Sequence, residues 1–506
     1  MKIGRQTIFT NYKYIDKTNI LEVIQKVFPL HEQNAFEINN LIDYESGDVP
    51  AIREKTYRKD IQNFIPDPIA NYIVEFKLGF EWGNPITFIQ SDDSDSTNDK
   101  VDITKAITRL NQCYRAQKIK TKLEELARFI EICGIGYTYV DVNMEWEEGD
   151  SLFTLDALDP RCAFVVRSTA YTDKRVVLGV SYRKDDEGNK LITCFTRNER
   201  FELKGFDEIT LIESNPLGRI PIIEWIRSYD RQGCFERLMP MIDDVTASMS
   251  ALLDAVQSNT DVIWFSSDVE FPTREVELAD GTTKEEVVKP KDGDWLLANT
   301  TRDGKQPKVQ PLTVDYDYNG QLANINATRA HILKLAHVPQ RNDNSGGSTG
   351  VAMDDAAGWT DAEADACRKQ MLSDSSKMNE LEVVLRACKI SPFIDSEDPI
   401  MGLNYSDCSP NFKRSKTYDL ATKMNSICTG LAHGFDLADL VGTVQLFEDS
   451  AEVVARSGEG VRKYQETIWK TENEAQGAEG EEAVNGDRLQ ADLSDQLDNS
   501  DTLRMG

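Results

Sequence analysis

The tightest constraint on this chain is a helix that has to pack along its length. Phe235, Leu238, Ile242, Val245, Met249, Leu252 and Val256 alternate steps of three and four. That spacing draws one apolar stripe down a helix, and the stripe needs a neighbour. Pro240 either kinks this helix or marks its true first turn. From Trp264 to Val314 the texture changes to a small β module, in which Val276-Glu-Leu278 and Glu286-Val-Val288 flank the turn signal Asp280-Gly281. Helical spacing returns at Leu322, Ile325, Ile332 and Leu335. Two long helices therefore bracket a β insertion. An ordinary core helix would carry the same stripe, so spacing alone leaves that reading open.

Upstream, apolar residues recur at helical spacing from Lys17 to Asp43, and Pro29 divides them into two expected short helices. A further helix is expected from Ile65 to Leu78, ending at Gly79 and feeding a strand at Ile86-Thr-Phe88. A single helix is expected from about Ile103 to Glu131, with Leu110, Leu123, Leu126, Phe129 and Ile130 turned inward. β-rich runs follow at 137–142, 163–166, 176–182 and 191–195, with Asp186-Glu-Gly-Asn189 as a hairpin turn and a short strand after Asn215-Pro-Leu-Gly218. After the polar stretch from Gln340 to Gly350, a long helix is expected from about Asp361, with Met371, Met378, Leu381, Leu385 and Cys388 on one side. Helices fit 416–432 and 436–456. Residues 471–506 are acidic, lysine-free and poor in large apolar groups, the composition of a disordered tail.

Charge bears on what the chain can touch. Against 57 basic residues stand 86 acidic ones, a formal net charge of -29. A protein that grips DNA normally shows a basic face, because neutralising phosphates releases counterions. Acidic surface suits either simple solubility or a passage along which DNA must not stick. Nine cysteines form no C-x-x-C pair, which speaks against a zinc framework or a disulfide scaffold and for a reducing cytoplasm, with Cys133 and Cys388 as buried apolar groups. The opening MKIGRQTIFT has no secretory pattern, and Ile220 to Ile226 falls far short of the ~20 apolar residues that span a bilayer, so a soluble chain and no membrane contact are expected.

Chemical motifs are weak throughout. Gly346-Gly-Ser-Thr-Gly350 lacks the lysine and preceding strand of a phosphate loop. Asp315-Tyr-Asp-Tyr-Asn-Gly320 matches the first half of a calcium loop, but Asn326 stands where a bidentate glutamate is needed, so a turn capping the next helix is the better reading. His31, His331, His337 and His433 fit no triad or zinc spacing. No catalytic residue, metal or cofactor is expected.

Several strings, taken in order, resemble the portal family of tailed phages, in particular the type of Gram-positive siphophages. They are Asn71-Tyr-Ile-Val-Glu-Phe-Lys-Leu-Gly-Phe-Glu-Trp-Gly-Asn-Pro-Ile86, Ile132-Cys-Gly-Ile-Gly-Tyr-Thr-Tyr-Val140, Leu158-Asp-Pro-Arg161 leading into 176–183, and Asn215-Pro-Leu-Gly-Arg-Ile-Pro-Ile222 before the long helix. The specificity lies in their order, and the resemblance runs to about Arg456. It implies an α+β portal-type subunit with wing, helical stem, β clip and helical crown, assembling as a ring that the family usually closes at twelve. Residues 1–230 would be the wing, with a return segment at 391–412. Residues 235–263 and 318–338 would be the stem, 264–317 the clip, 340–358 the tunnel loop, 359–390 a long channel-facing helix and 413–470 the crown.

The implied DNA-channel loop is Gln340, Arg341, Asn342, Asp343, Asn344, Ser345, Gly346, Gly347, Ser348, Thr349 and Gly350. Lys334 and Arg341 are candidates for phosphate contact, and Asp343, Asp354 and Asp355 for like-charge repulsion. Val276, Asp280, Gly281, Lys284 and Lys289 would serve partner docking at the clip. Implied partners are further copies of the chain, double-stranded DNA passing without sequence readout, the terminase large subunit, head-to-tail adaptor or tail proteins, and major capsid and scaffolding proteins. The implied location is the virion's portal vertex, after assembly in the host cytoplasm. Two alternatives stay open: a ring-forming virion or adaptor protein that encloses no DNA, and a carboxylate- or metal-dependent hydrolase.

Overall fold

In the computed structural model the described residues are 4–48, 63–91, 103–186, 188–260, 317–340, 358–414 and 420–435, four strands between 263 and 312, and a few isolated positions after 439. Strand β1 (Ile8–Thr10) precedes helix α1 (Ile20–Ser46), which runs unbroken through Pro29. The two helices expected here are one. A mid-helix proline costs about 3 kcal/mol, whereas burying each large aliphatic side chain contributes ~1.5–3 kcal/mol. Ile20, Val23, Ile24, Val27 and Phe28 before the proline and Ile38 and Leu41 after it form one buried stripe. That shared stripe outweighs the lost hydrogen bond.

Helix α2 (Ile69–Glu81) passes Gly79, because Phe80 and Glu81 are both buried in contacts with later parts of the chain. Strand β2 (Thr87–Gln90) follows. The single helix expected over 103–131 is two, α3 (Ile103–Ala116) and α4 (Ile119–Cys133), separated at Lys118 with φ 52. Tyr114 and Ile119 both belong to the core. Five residues of ideal helix would leave them about 140° apart, and a single left-handed residue resets the phase.

Eight strands come next: β3 (Ile135–Val142), β4 (Phe153–Leu158), β5 (Ala163–Ser168), β6 (Val176–Lys184), β7 (Lys190–Phe195), β8 (Glu199–Lys204), β9 (Glu208–Ser214) and β10 (Ile222–Ile226). They form a six-stranded sheet in the order β1-β5-β6-β7-β8-β9 and a three-stranded sheet β10-β3-β4. Only β1 with β5 is a parallel pair in the larger sheet. Helix α1 lies on that sheet, with Phe28 edge-on to Phe164 at 6.2 Å between ring centroids. The two sheets press together so closely that a Cβ at Gly179 would lie 3.2 Å from Ile222 Cβ.

A 3₁₀ turn (Glu236–Leu238) opens helix α5 (Met239–Thr260), so Pro240 lies in the first turn rather than at a kink. The β module consists of β11 (Ile263–Ser267), β12 (Thr273–Glu277), β13 (Thr283–Val287) and β14 (Lys308–Leu312), with β11 antiparallel to β14 and β12 to β13. Helix α6 (Tyr318–Leu335) packs against α5. Asp317 caps it by accepting the Gly320 amide at 2.9 Å, the helix-capping role expected at this point of the chain. Along the shared stripe Phe235, Leu238, Ile242, Val245, Ile325 and Ile332 are buried, while Val256, Leu322 and Leu335 are exposed.

Helix α7 (Trp359–Ile390) crosses β10 and β3. Leu381, Leu385 and Cys388 are buried as expected, but Met371 is 75% exposed, because the helix there borders open cleft. Strand β15 (Cys408–Asn411) returns to pair antiparallel with β2. The chain divides into compact units 1–414 and 415–506, and the second contributes α8 (Leu420–Ala432). Residues 436–456, expected to be helical, and the 471–506 tail lie outside the described residues apart from isolated positions.

Candidate functional site

The residues that flank 341–357 come together. A Cβ built on Gly358 would lie 4.0 Å from Pro339 Cα, so the chain enters and leaves that segment at one place. The geometry begins at the end of α6. The amide of His337 donates to Lys334 at 3.1 Å and that of Val338 to Leu333 at 2.9 Å, the paired bonds that close a helix through a left-handed residue. That residue is His337, with φ 55, where glycine is usual. Val338 is buried, Pro339 stops further helix, and the Gln340 side-chain amide donates back to the Ala330 carbonyl at 2.5 Å.

On the other side Gly358, at φ 87, starts α7. Trp359 closes against Phe76 and Phe80 at centroid distances of 6.0 and 5.6 Å. Beneath the first turns of α7 lies a buried array of charge. Lys77 Nζ, 0% exposed, reaches Asp365 Oδ2 at 3.0 Å and Glu81 Oε1 at 3.4 Å. Lys369 Nζ lies 2.8 Å from both Glu81 and Asp365. Arg227 Nε donates to Glu131 at 2.9 Å, and Trp82 Nε1 donates to the other oxygen of that carboxylate at 3.4 Å.

Three cations thus face three carboxylates from α2, α4, α7 and the end of β10, so the interior charge balances. Burial opposes ionisation of Asp365, yet Lys369 and Lys77 outweigh it and hold the carboxyl well below the usual range. Burial likewise opposes charge on Lys369, and Glu131, Glu81 and Asp365 overcome both that and the repulsion of Arg227, raising its pKa. These groups fix α7 to the helices beside it. No motif marks these groups, although Lys77 with Glu81 and Asp365 with Lys369 stand one helical turn apart, the spacing that allows such pairing.

Between this array and the end of α6 is a cleft of about 730 Å³, to which His337, Arg227, Arg368 and Lys369 contribute, with Tyr229 and Met371 exposed at its margin. A second polar arrangement steadies α5 and α6. Thr246, Ser250 and Asp254, on one side of α5, accept the backbone amides of Asp67, Ile65 and Asn63 at 3.3, 3.2 and 2.9 Å. Helix spacing of four thereby matches extended spacing of two. Arg329 on α6 ties in through Asp67 at 2.5 Å.

Lys334 and Gln340 both lie at this end of α6, with Lys334 exposed. Val276 and Lys284 stand directly opposite each other on β12 and β13. Arg341 to Gly350, Asp354, Asp355, Asp280, Gly281 and Lys289 lie outside the described residues. Among the described residues no three metal-ligating side chains converge, and no helix is long and apolar enough to cross a membrane. His31 is a core group stacked on Phe164 at 4.2 Å; it donates from Nε2 to the Arg161 carbonyl, and burial lowers its pKa to about 4.

Residues 5–383 match the model of a protein family described as phage portal protein, SPP1 Gp6-like. No curated protein matches the chain. Among solved structures, the chain is similar to one titled "Neck of empty GTA particle computed with C6 symmetry", at 13% identity and a TM-score of 0.41, covering 76% of this chain and 92% of that one.

Proposed function

Because the chain belongs to the phage portal protein family, SPP1 Gp6-like, we propose that its copies close into a ring around a channel for double-stranded DNA at one vertex of the capsid. The genome enters through the ring during packaging by terminase and leaves through it at ejection, and head-to-tail adaptors or tail proteins assemble on the outer end. Capsid and scaffolding proteins meet the ring from the shell. The protein's part is mechanical, and the ATP-driven work belongs to terminase.

The family match over residues 5–383 carries this reading. The physical arrangement supports it. Helices α5 and α6 pair side by side with paired β-strands between them in sequence, the order expected of stem and clip. Val256, Leu322 and Leu335 remain exposed on those helices, apolar surface that neighbours in a ring would cover. In this reading 1–230 and 391–412 form the wing, 340–358 the tunnel loop and 413–470 the crown. The joined flanks of 341–357 give the tunnel loop a firm base, from which contacts with moving DNA can be weak and easily exchanged.

Electron microscopy of the purified protein tests the reading. A ring with an axial hole wide enough for duplex DNA is expected, and a compact monomer with metal-dependent nuclease activity would refute it. Deleting Asn342 to Thr349 is expected to leave rings intact and to impair DNA packaging or retention. Loss of rings in that variant would make the segment a structural connection instead.

A further inference from the structure

The six-stranded sheet is open, and its two edges differ in chemistry. At one end β9 has both faces and its outer edge exposed, with Leu211 and Ile212 at 38% and 45% exposure. Natural sheets avoid leaving an apolar edge strand bare, because its unpaired amides and carbonyls accept another strand. Asp207, Glu208 and Glu213 make this edge acidic, with Glu213 only 3.8 Å from Arg200 as counter-charge.

At the other end β1 has β5 as its partner strand and none beyond it among the described residues. Around it gathers a cluster of cations on aromatic rings. Lys174 lies over Phe9 at 5.8 Å, Lys13 over Tyr14 and Tyr171 at 5.6 and 5.3 Å, and Arg175 over Tyr171 at 4.2 Å. Lys13, Lys174 and Arg175 are exposed, and of the three Arg175 has an acidic partner in Asp173. In a chain of net charge -29 this basic, aromatic edge stands out.

We infer that the acidic β9 edge of one copy docks against the basic β1 edge of the next copy, so that the larger sheet continues from subunit to subunit. The two edges lie on opposite sides of one sheet, about 24 Å apart at ~4.8 Å per strand spacing. A contact between them is therefore head-to-tail, the kind that closes rings when its rotation closes. The strand directions agree, since β1 and β9 run the same way through the alternation of β5 to β8. A neighbour turned about an axis along the strands presents β1 parallel to β9, with Phe9 available to cover Leu211 on the face they share.

The inference rests on the ring proposed above and adds its partner surface. The test is a charge exchange on the full-length chain, read by sedimentation velocity and native mass spectrometry across a concentration series. Glu208→Lys with Glu213→Lys, and separately Lys13→Glu with Lys174→Glu, should each raise the concentration for half-assembly by roughly ten-fold or more, because like charges then meet across the contact. All four substitutions in one chain restore opposite charges and should recover assembly. Recovery also shows that the substituted chains fold.

Unchanged assembly in both reversal variants overturns this inference and leaves the ring standing. Loss of assembly in the reversals without recovery in the fourfold variant also overturns it, and assigns the edges to another partner. A wild-type chain that stays monomeric throughout overturns the ring itself and this contact with it.

Discussion

Replacing Asp365 by Asn removes one charge from the array beneath α7 while keeping its shape. Asp365 meets Lys77 at 3.0 Å, Lys369 at 2.8 Å and Arg368 at 2.6 Å. At ~3 Å and an effective dielectric of ~20, each contact is worth roughly 5 kcal/mol before desolvation is counted. Breaking a buried pair costs about 3–5 kcal/mol, because the remaining charge is left without a partner. Glu81 still faces both lysines, and Arg368 is exposed to water, so the loss should fall near the lower end, about 3 kcal/mol.

Urea unfolding followed by tryptophan fluorescence reads this loss, since Trp359 and Trp82 adjoin the array. Lys77→Met should cost a similar amount. The double variant should cost about 2 kcal/mol less than the sum of the two, because neither partner is then stranded. Acid titration gives an independent reading. The lowered Asp365 pKa means that its stabilisation is complete above the unfolded value of about 4 and declines as pH falls below it. That part of the acid limb should vanish in Asp365→Asn. Single losses under ~1 kcal/mol, or losses that simply add, would refute the claim that these groups fix α7.

His31 should give a separate pH dependence. Its pKa falls from 6.5 to about 4 on burial, so stability is full above 6.5 and declines towards pH 4 by up to about 3 kcal/mol; His31→Gln should flatten that slope in denaturation curves. At His337 the left-handed backbone predicts that His337→Ile lowers stability by about 1–2 kcal/mol whereas His337→Gly does not lower it, measured the same way. A Cβ at Gly233 would lie 2.0 Å from the Ile132 carbonyl oxygen, so Gly233→Ala should cost at least about 1–3 kcal/mol and lower the thermal midpoint.

Local order was legible in the residues themselves. The steps of three and four over 235–256, the turn-flanked strands at 276 and 286, and the aspartate before α6 are short-range signals, read within a few residues, and the helices, strands and cap stand where those signals put them. The portal resemblance rested on strings in sequence order between Asn71 and Ile222, and the family match covers all of them. Tertiary structure decided what depends on partners far along the chain. Pro29 is tolerated because both halves of α1 bury apolar side chains in one core, and Lys118 turns left-handed because Tyr114 and Ile119 must face one core. Lys77 sits 288 residues from Asp365, and only folding sets them 3.0 Å apart. The meeting of Pro339 and Gly358 at the base of 341–357 is likewise a product of packing. Periodicity records which face of an element is apolar, and it carries no record of which distant face will cover it.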